Sequence, residues 1–501
     1  MDSVLNLISE YSPFPVNSSL NTTREYARGL SKEIAFILLD NETLRSVIHP
    51  VVIFYVSMSI VAATLIAIGS YATIEKPANA IDPNPNHPLF DQSDKDRTLV
   101  PDASISTSTA AFMPLIAGIG LVSLYFLIQH IDKDKLAEFL SNYLLVAGYS
   151  ADSFTLSFVY KVICRKLAYW TGKSSLTFNP RYNMTFSKDS MVHPAGLEPG
   201  MLLPETSEEE KIIKEEALLS ARNSVAKEDQ LFNVYFTKGD IYSNALSCLL
   251  TLILLLLDYN SNWVLRNIAS SLLAIYGIAK CRLTSFKVAI TVLVLFFAYD
   301  IYFVFGSDIM MSVATNIDIP VKLMIPNSAS RTEGTVQLSL LGLGDIILPG
   351  CVIALCLRFD LYIFHEKNPN TEFHHLQSYP KPYFYDALIF YSLGLAATCS
   401  AMYVFEQGQP ALLYLSPSLL IAIFVTAGVK GELRTLWDYQ EDTDTDIFKK
   451  DKDIEIDILC SKETLYLAGK IDDKEEEEEE EEDEDYEPEE VDDDEEEAYD
   501  I

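Results

Sequence analysis

The chain has 501 residues, of which 49% are hydrophobic, and a formal net charge of −35. Its apolar residues are gathered into long runs such as LSCLLTLILLLL at 246–257, a pattern that excludes an ordinary soluble domain and argues for a membrane protein. The charge is also concentrated: residues 471–501 hold 23 acidic residues and one Lys, a net −22, which leaves −13 for the other 470.

The first 50 residues are polar and carry three glycosylation sequons, at Asn17, Asn21 and Asn41. If used, they place the N-terminus in the lumen. No apolar core resembling a cleaved signal peptide precedes residue 51, so the first span is expected to serve as the insertion signal.

Eight clean apolar runs follow, at 51–71, 110–129, 241–257, 263–279, 286–305, 338–357, 387–405 and 411–429. Each is about the length that a helix needs to cross ~30 Å of hydrocarbon. A ninth, mixed run at 136–164 carries Asp152 near its middle and is expected to turn a polar face into the bundle. The expected fold is therefore an all-α polytopic membrane protein of about nine transmembrane helices. With a lumenal N-terminus, nine spans put Arg165, Lys166, Lys280, Arg282, Arg358, Lys430 and Arg434 on the cytosolic side, as the positive-inside tendency favours; Lys133 and Lys135 are the exceptions.

The expected domains are a lumenal segment 1–50, N-terminal spans 51–240 with cytosolic loops 72–109 and 165–240, a transmembrane core 241–437, and an acidic tail 438–501. A short helix is expected at 212–222. The terminal acidic block cannot bury a core and is expected to be disordered. It reads equally as a docking site for a basic protein and as a solvated tail. The seven cysteines have neither zinc-ligand nor disulfide-framework spacing and read as membrane filler.

The chemistry begins with VLFFAYDIYFVF at 294–305, which sets Asp300 among apolar and aromatic residues. An acid at the centre of a span costs at least ~3 kcal/mol, which makes it a functional-site hypothesis that needs a partner. The next run, LSLLGLGDIILPG at 338–350, supplies Asp345. Counted from span ends at the ~1.5 Å helical rise, both acids lie about 20 Å from the cytosolic edge, where they can face each other.

Two such carboxyls resist ionising together, so the pair is expected to hold one proton between them and titrate as a unit. That arrangement suits peptide hydrolysis through an activated water, and equally a cation or proton pathway in a transporter. The surroundings favour hydrolysis. Gly342 and Gly344 remove side chains near Asp345, and Pro349 lacks the N–H that would bond the Asp345 carbonyl, so the backbone is loosened beside the acid. PVKLMIP at 320–326 has the β character to offer an edge to an unwound substrate, although it reads equally as a plain loop.

AYD around Asp300, LLGLGDIILPG around Asp345 and GQPALLYL at 408–415 resemble the YD, GxGD and PAL motifs of the signal peptide peptidases, the presenilin-like intramembrane aspartyl proteases. The likeness runs from about 263 to 437. It implies a nine-span presenilin-like bundle with Asp300 and Asp345 catalytic, and with Tyr299, Gly342, Leu343, Gly344, Gln409, Pro410, Ala411 and Leu412 shaping the site. Pro410 fits the first turn of a helix, where a missing N–H costs nothing. Tyr299 points about 100° away from Asp300 around its helix, so it is expected to pack or orient.

The resemblance further implies substrates that are transmembrane segments, namely leftover signal peptides and type II anchors, in the endoplasmic reticulum membrane with a lumenal N-terminus and cytosolic C-terminus. Presenilins run the opposite way. Membrane lipid is the other expected partner, self-association stays open, and no cofactor, metal or nucleic acid is expected. His365-Glu366 begins like a zinc HExxH, but position 369 is Pro and the segment is expected to be a polar loop; no G-x-S-x-G element is present.

Overall fold

A computed structural model describes residues 16–39, 50–81, 87, 89, 104–105, 107–187, 230–257, 259, 262–307, 322–330, 335–405 and 409–441. The short helix expected at 212–222, Asn41, and the block at 471–501 lie outside the described residues. The chain divides into a unit of residues 1–182 and 235–444 and a second of 183–234 and 445–501. The described residues of the second, 183–187 and 230–234, lie in strands β2 and β3 below.

The elements in order are α1 (Val16–Leu39), α2 (Pro50–Ala72), β1 (Ser104–Ile105), α3 (Thr107–His130), α4 (Lys133–Thr171), α5 (Ser175–Phe178), β2 (Arg181–Ser187) and β3 (Gln230–Thr237). They continue as α6 (Lys238–Leu256), α7 (Trp263–Lys280), β4 (Arg282–Leu283), α8 (Phe286–Phe305), β5 (Lys322–Ser330), β6 (Thr335–Gly342), α9 (Gly344–Lys367), α10 (Pro382–Phe405), α11 (Leu412–Lys430) and α12 (Leu433–Asp438).

Seven of the described helices, α2, α3, α6, α8, α9, α10 and α11, are long and apolar enough to cross a membrane. The other two expected spans are helices in the expected places, α4 with 39 residues and α7 with 18. They fall short on apolarity because each carries charge or amide groups, Asp152 in α4 and Arg266 and Asn267 in α7. The expected number of nine is therefore matched by helices but not by nine fully apolar spans.

α9 is the centre of the bundle. It packs against α2, α7, α10 and α11, and Val352 through Leu361 are all buried. A helix apolar on every face belongs there, since it has no polar side to give to a headgroup or to water. Two charged residues on this stretch are satisfied from neighbouring elements. Asp360 accepts from the amides of Tyr383, at 3.2 Å, and Phe384, at 2.9 Å, and so caps the start of α10. Arg358 enters an ion cluster described below.

Two expectations are corrected, and one segment gains a helix that had not been expected. The run at 338–357 is not one helix: 338–342 belongs to β6, and α9 starts at Gly344 and continues to Lys367. The glycines and the need to pair with β5 hold this stretch extended. His365-Glu366, expected in a polar loop, forms the last turn of α9 because the apolar face of that helix continues past the predicted end. The polar N-terminal segment contains the helix α1, which includes Asn17 and Asn21. Side-chain bonds tie it to the turn between α6 and α7, from Arg24 Nε to the Leu256 carbonyl at 2.8 Å and from Trp263 Nε1 to the Ser31 carbonyl at 3.1 Å.

Residues 439–441, expected within the tail, return to the core. Tyr439 is buried against Phe286, Phe359 and Tyr362, and the Glu441 amide donates to the Thr284 carbonyl at 2.8 Å. The Glu441 carboxylate accepts from Arg282 Nε at 3.0 Å and from Arg358 Nε, while Arg282 also bonds Glu75. One carboxylate thus joins the segment before α8 to the middle of α9.

Burial by itself would raise the Glu441 carboxyl, but the guanidinium groups of Arg358 and Arg282 outweigh it and hold the group below its ordinary 4.5. A lowered carboxyl contributes stability that is complete above 4.5 and is lost as pH falls through the folded value. Removing one partner of a buried pair leaves charge uncompensated, so Glu441→Ala is expected to cost about 3 kcal/mol or more. The exposed pair Arg434–Asp438, at 3.7 Å, serves as the control: Arg434→Ala should change stability by less than ~0.5 kcal/mol. Thermal unfolding of the purified protein in detergent measures both, and the Glu441 difference should shrink in acid below 4.5.

Candidate functional site

Asp300 lies on α8, five residues before the helix ends at Phe305, and is buried at 6% exposure. What holds its carboxylate is the start of another helix. Leu412 is the first residue of α11, so its amide has no partner within that helix, and it donates to Asp300 Oδ2 at 3.0 Å. The positive end of the α11 dipole adds to that bond.

The PAL segment therefore meets Asp300 through backbone. Pro410, expected in the first turn, sits just outside it: Ala411 is the N-cap, and the Pro410 carbonyl accepts from the Leu413 amide at 3.3 Å. Pro410 and Leu412 are buried, whereas Gln409 and Ala411 are half-buried.

Asp345 occupies the first turn of α9, two residues after Leu343, which is buried and caps the helix. It stands at a junction of strand and helix rather than 10 Å inside a span. The strand β6 takes up the depth that a helical reading had assigned to the start of the span, and the two acids still come together. The helix that carries Asp300, α8, packs against α9, which carries Asp345. The shared site thus contains Asp300, Asp345, the Leu412 amide and Gly342.

Each glycine of LGLGD has its own role. A Cβ added to Gly342 would stand 3.2 Å from Asp345 Oδ2, so the hydrogen side chain there leaves room for the carboxylate. At Gly344 an added Cβ would meet nothing within 4 Å. Tyr299 is half-buried and packs between Phe296, edge to face with ring centroids 5.8 Å apart, and Phe303, tilted at 4.6 Å.

Two contributors were not foreseen in the sequence. Pro349 deprives the Asp345 carbonyl of its helical donor, and the hydroxyl of the fully buried Tyr391 on α10 donates to it at 3.3 Å. The orphaned carbonyl was the available signal, because such a group buried in a membrane must find a donor. Asn267 on α7 is the second: its side chain bonds both the Met324 amide, at 2.7 Å, and the Met324 carbonyl. An amide side chain in an otherwise apolar helix pointed to such a contact.

β5 and β6 form an antiparallel pair with Leu323 opposite Leu341 and Lys322 opposite Gly342. PVKLMIP thus includes the start of a strand, and the plain-loop reading of 322–326 is set aside. At Met324 the other edge of β5 is occupied by Asn267, so β6, the strand that leads into Asp345, is the better placed edge.

A multi-span helical bundle that brings two acids together beside a loosened backbone is the architecture of an intramembrane protease. The family model described as signal peptide peptidase matches residues 95–443, and the chain belongs to that family. A Saccharomyces cerevisiae protein named as a probable intramembrane protease is 31% identical over 438 residues, covering 79% of this chain and 74% of its own length. The signal peptide peptidase of Homo sapiens is 27% identical over 344 residues, 68% of this chain and 76% of the human protein. Intramembrane protease 2 of Caenorhabditis elegans is 38% identical across 44% of this chain and 46% of its own. No solved structure gives a significant match.

The chain is accordingly a multi-pass membrane protein of an intramembrane protease family, and the transporter reading is set aside. The two glycines should separate in a cleavage assay. Gly342→Val is expected to lower the rate on the order of tenfold by displacing Asp345, while Gly344→Ala stays within about threefold.

Proposed function

We propose that the protein is an aspartic endopeptidase in which Asp300 and Asp345 share one proton and hydrolyse peptide bonds of transmembrane segments. The observation that carries this reading is the opposition of two acids whose surroundings are asymmetric. Asp300 is held by the Leu412 amide, which favours a carboxylate, and Asp345 stands beside it in the first turn of α9.

In the proposed reaction one carboxylate takes a proton from water as the oxygen adds to the carbonyl carbon. The other acid gives its proton to the carbonyl oxygen. The resulting gem-diol collapses as the protonated acid gives its proton to the nitrogen, the C–N bond breaks and one gem-diol hydroxyl returns a proton to a carboxylate, which leaves the pair with one shared proton.

A helical substrate hides its peptide bonds, so it must be extended before water reaches them. β6 supports strand addition at that point because it runs directly into Gly344 and Asp345 and because Leu340 on it is half exposed. The family's name points to leftover signal peptides as substrates, and the resemblance read in the motifs adds type II membrane anchors.

The compartment and orientation are part of the same proposal: endoplasmic reticulum membrane, N-terminus lumenal, C-terminus cytosolic. Support comes from α1, whose contacts fall on the turn between α6 and α7 and on β5, the side assigned to the lumen by the sequence.

Asp300→Asn and Asp345→Asn are each expected to reduce cleavage of a transmembrane peptide by on the order of 10³-fold or more while the protein remains inserted and folded. Product mass spectrometry with purified enzyme is the measurement, and a fully active single variant would overturn the assignment. Orientation is tested apart from chemistry. Glycosidase treatment of protein made in secretory membranes should lower its mass, and Asn21→Gln should reduce that shift; a wild-type protein that shows no shift would remove the support for a lumenal N-terminus.

A further inference from the structure

The cysteines among the described residues are free thiols, and two of them meet across the interface that carries Asp345. α7 and α9 touch along a ladder in which residue numbers rise together, so the helices run in the same direction. A Cβ on Gly277 would meet Ile347 at 2.9 Å, and one on Gly350 would meet Ile278 at 2.7 Å. The absence of side chains is what permits that approach.

One turn beyond Gly277 and Ile347 the ladder reaches Cys281 and Cys351, whose side chains hydrogen-bond to each other. Further on, Arg358 donates to the Leu283 carbonyl at 3.0 Å. The thiol pair is bracketed by close contacts on both sides.

The two cysteines differ in access. Cys351 is buried on α9 at 4% exposure, six residues after Asp345. Cys281 follows the end of α7 and is half-buried. The hydrogen bond from Cys351 lowers Cys281 below the ordinary thiol value, against the effect of burial, and thiolate is the reactive form.

We propose that Cys281 and Cys351 are a redox-sensitive dithiol that a peroxide converts to an intrachain disulfide, fixing the helix of Asp345 to α7 and slowing cleavage. The Cys281 thiolate attacks a peroxide oxygen, the O–O bond breaks, and sulfenic acid and hydroxide form. The Cys351 sulfur then displaces the sulfenic oxygen, its proton leaving with that oxygen as water. Two thiols are oxidised and, with the proton first released by Cys281, the peroxide becomes two waters. In the proposed orientation Cys281 is at the cytosolic end of its helix, where disulfides are characteristically transient and redox-sensing. The effect on cleavage rests on the protease reading, while formation of the bond does not.

The test uses the full chain, purified in detergent, reduced, desalted and exposed to hydrogen peroxide before alkylation and non-reducing peptide mapping. The expected product is one cross-linked peptide pair joining Cys281 to Cys351. Cleavage should fall at least about fivefold and return with dithiothreitol. Cys281→Ser should be active when reduced and resist peroxide inactivation, as should Cys351→Ser. Because Cys281 lies outside the helices and is half-buried, its variant keeps the test decisive should the Cys351 variant fail to fold. Absence of this cross-link while other thiols oxidise overturns the proposal, as does a Cys281→Ser protein that is as sensitive as its parent. A cross-link with unchanged cleavage overturns the regulatory part, and parent protein inactive even when reduced counts against the protease reading alone.

Discussion

In hydrocarbon no water is available to a backbone amide or carbonyl, so every interruption of a helix must be satisfied by other parts of the protein. That constraint governs the start of α9. The chain arrives there as the strand β6, turns at Leu343, and carries Pro349 within the first two turns. β5 pairs the strand, Tyr391 takes the carbonyl released by the proline, and the amide left open at the start of α11 goes to Asp300. The same interruption that would destabilise an isolated span is what presents Asp345 at the end of a helix.

The site therefore depends on elements far apart in the chain being held in register, and the ion cluster around Glu441 supplies that hold. Glu441 draws together Arg282, which precedes the Asp300 helix, and Arg358, which lies on the Asp345 helix. Asp360, one turn or less from Arg358, caps α10 and so places Tyr391 on the same helix. A buried carboxylate between two guanidinium groups is a weak source of net stability but a strong determinant of which elements meet.

The family match places this architecture among intramembrane proteases and removes a transporter as the reading of the acid pair. The chain also has features that the acid pair does not use. The stripe of small residues between α7 and α9 brings these helices close enough to set two thiols in contact. A residue pattern that looks like filler in a membrane span can thus acquire chemical meaning once the helices are packed.

Much was legible in the sequence because hydropathy and charge act locally. Long apolar runs must be helices in a membrane, and α8 begins and ends at the residues where its run does. The two acids were legible for the same reason: an ionisable group among apolar neighbours is too costly to be incidental. Local pattern was insufficient at 338–342, where an apolar run suits a buried strand as well as a helix and only pairing with β5 decides. It was also insufficient at 439–441, where a Tyr and a Glu next to an acidic tail are drawn inside by distant partners in α9 and at and before the start of α8, such as Arg358, 83 residues from Glu441. The sequence by itself determined that the chain spans a membrane with two intramembrane acids. Only the tertiary structure decided which amide meets Asp300, which hydroxyl takes the Asp345 carbonyl and which guanidinium groups hold Glu441, because those donors come from elements whose contacts no local period encodes.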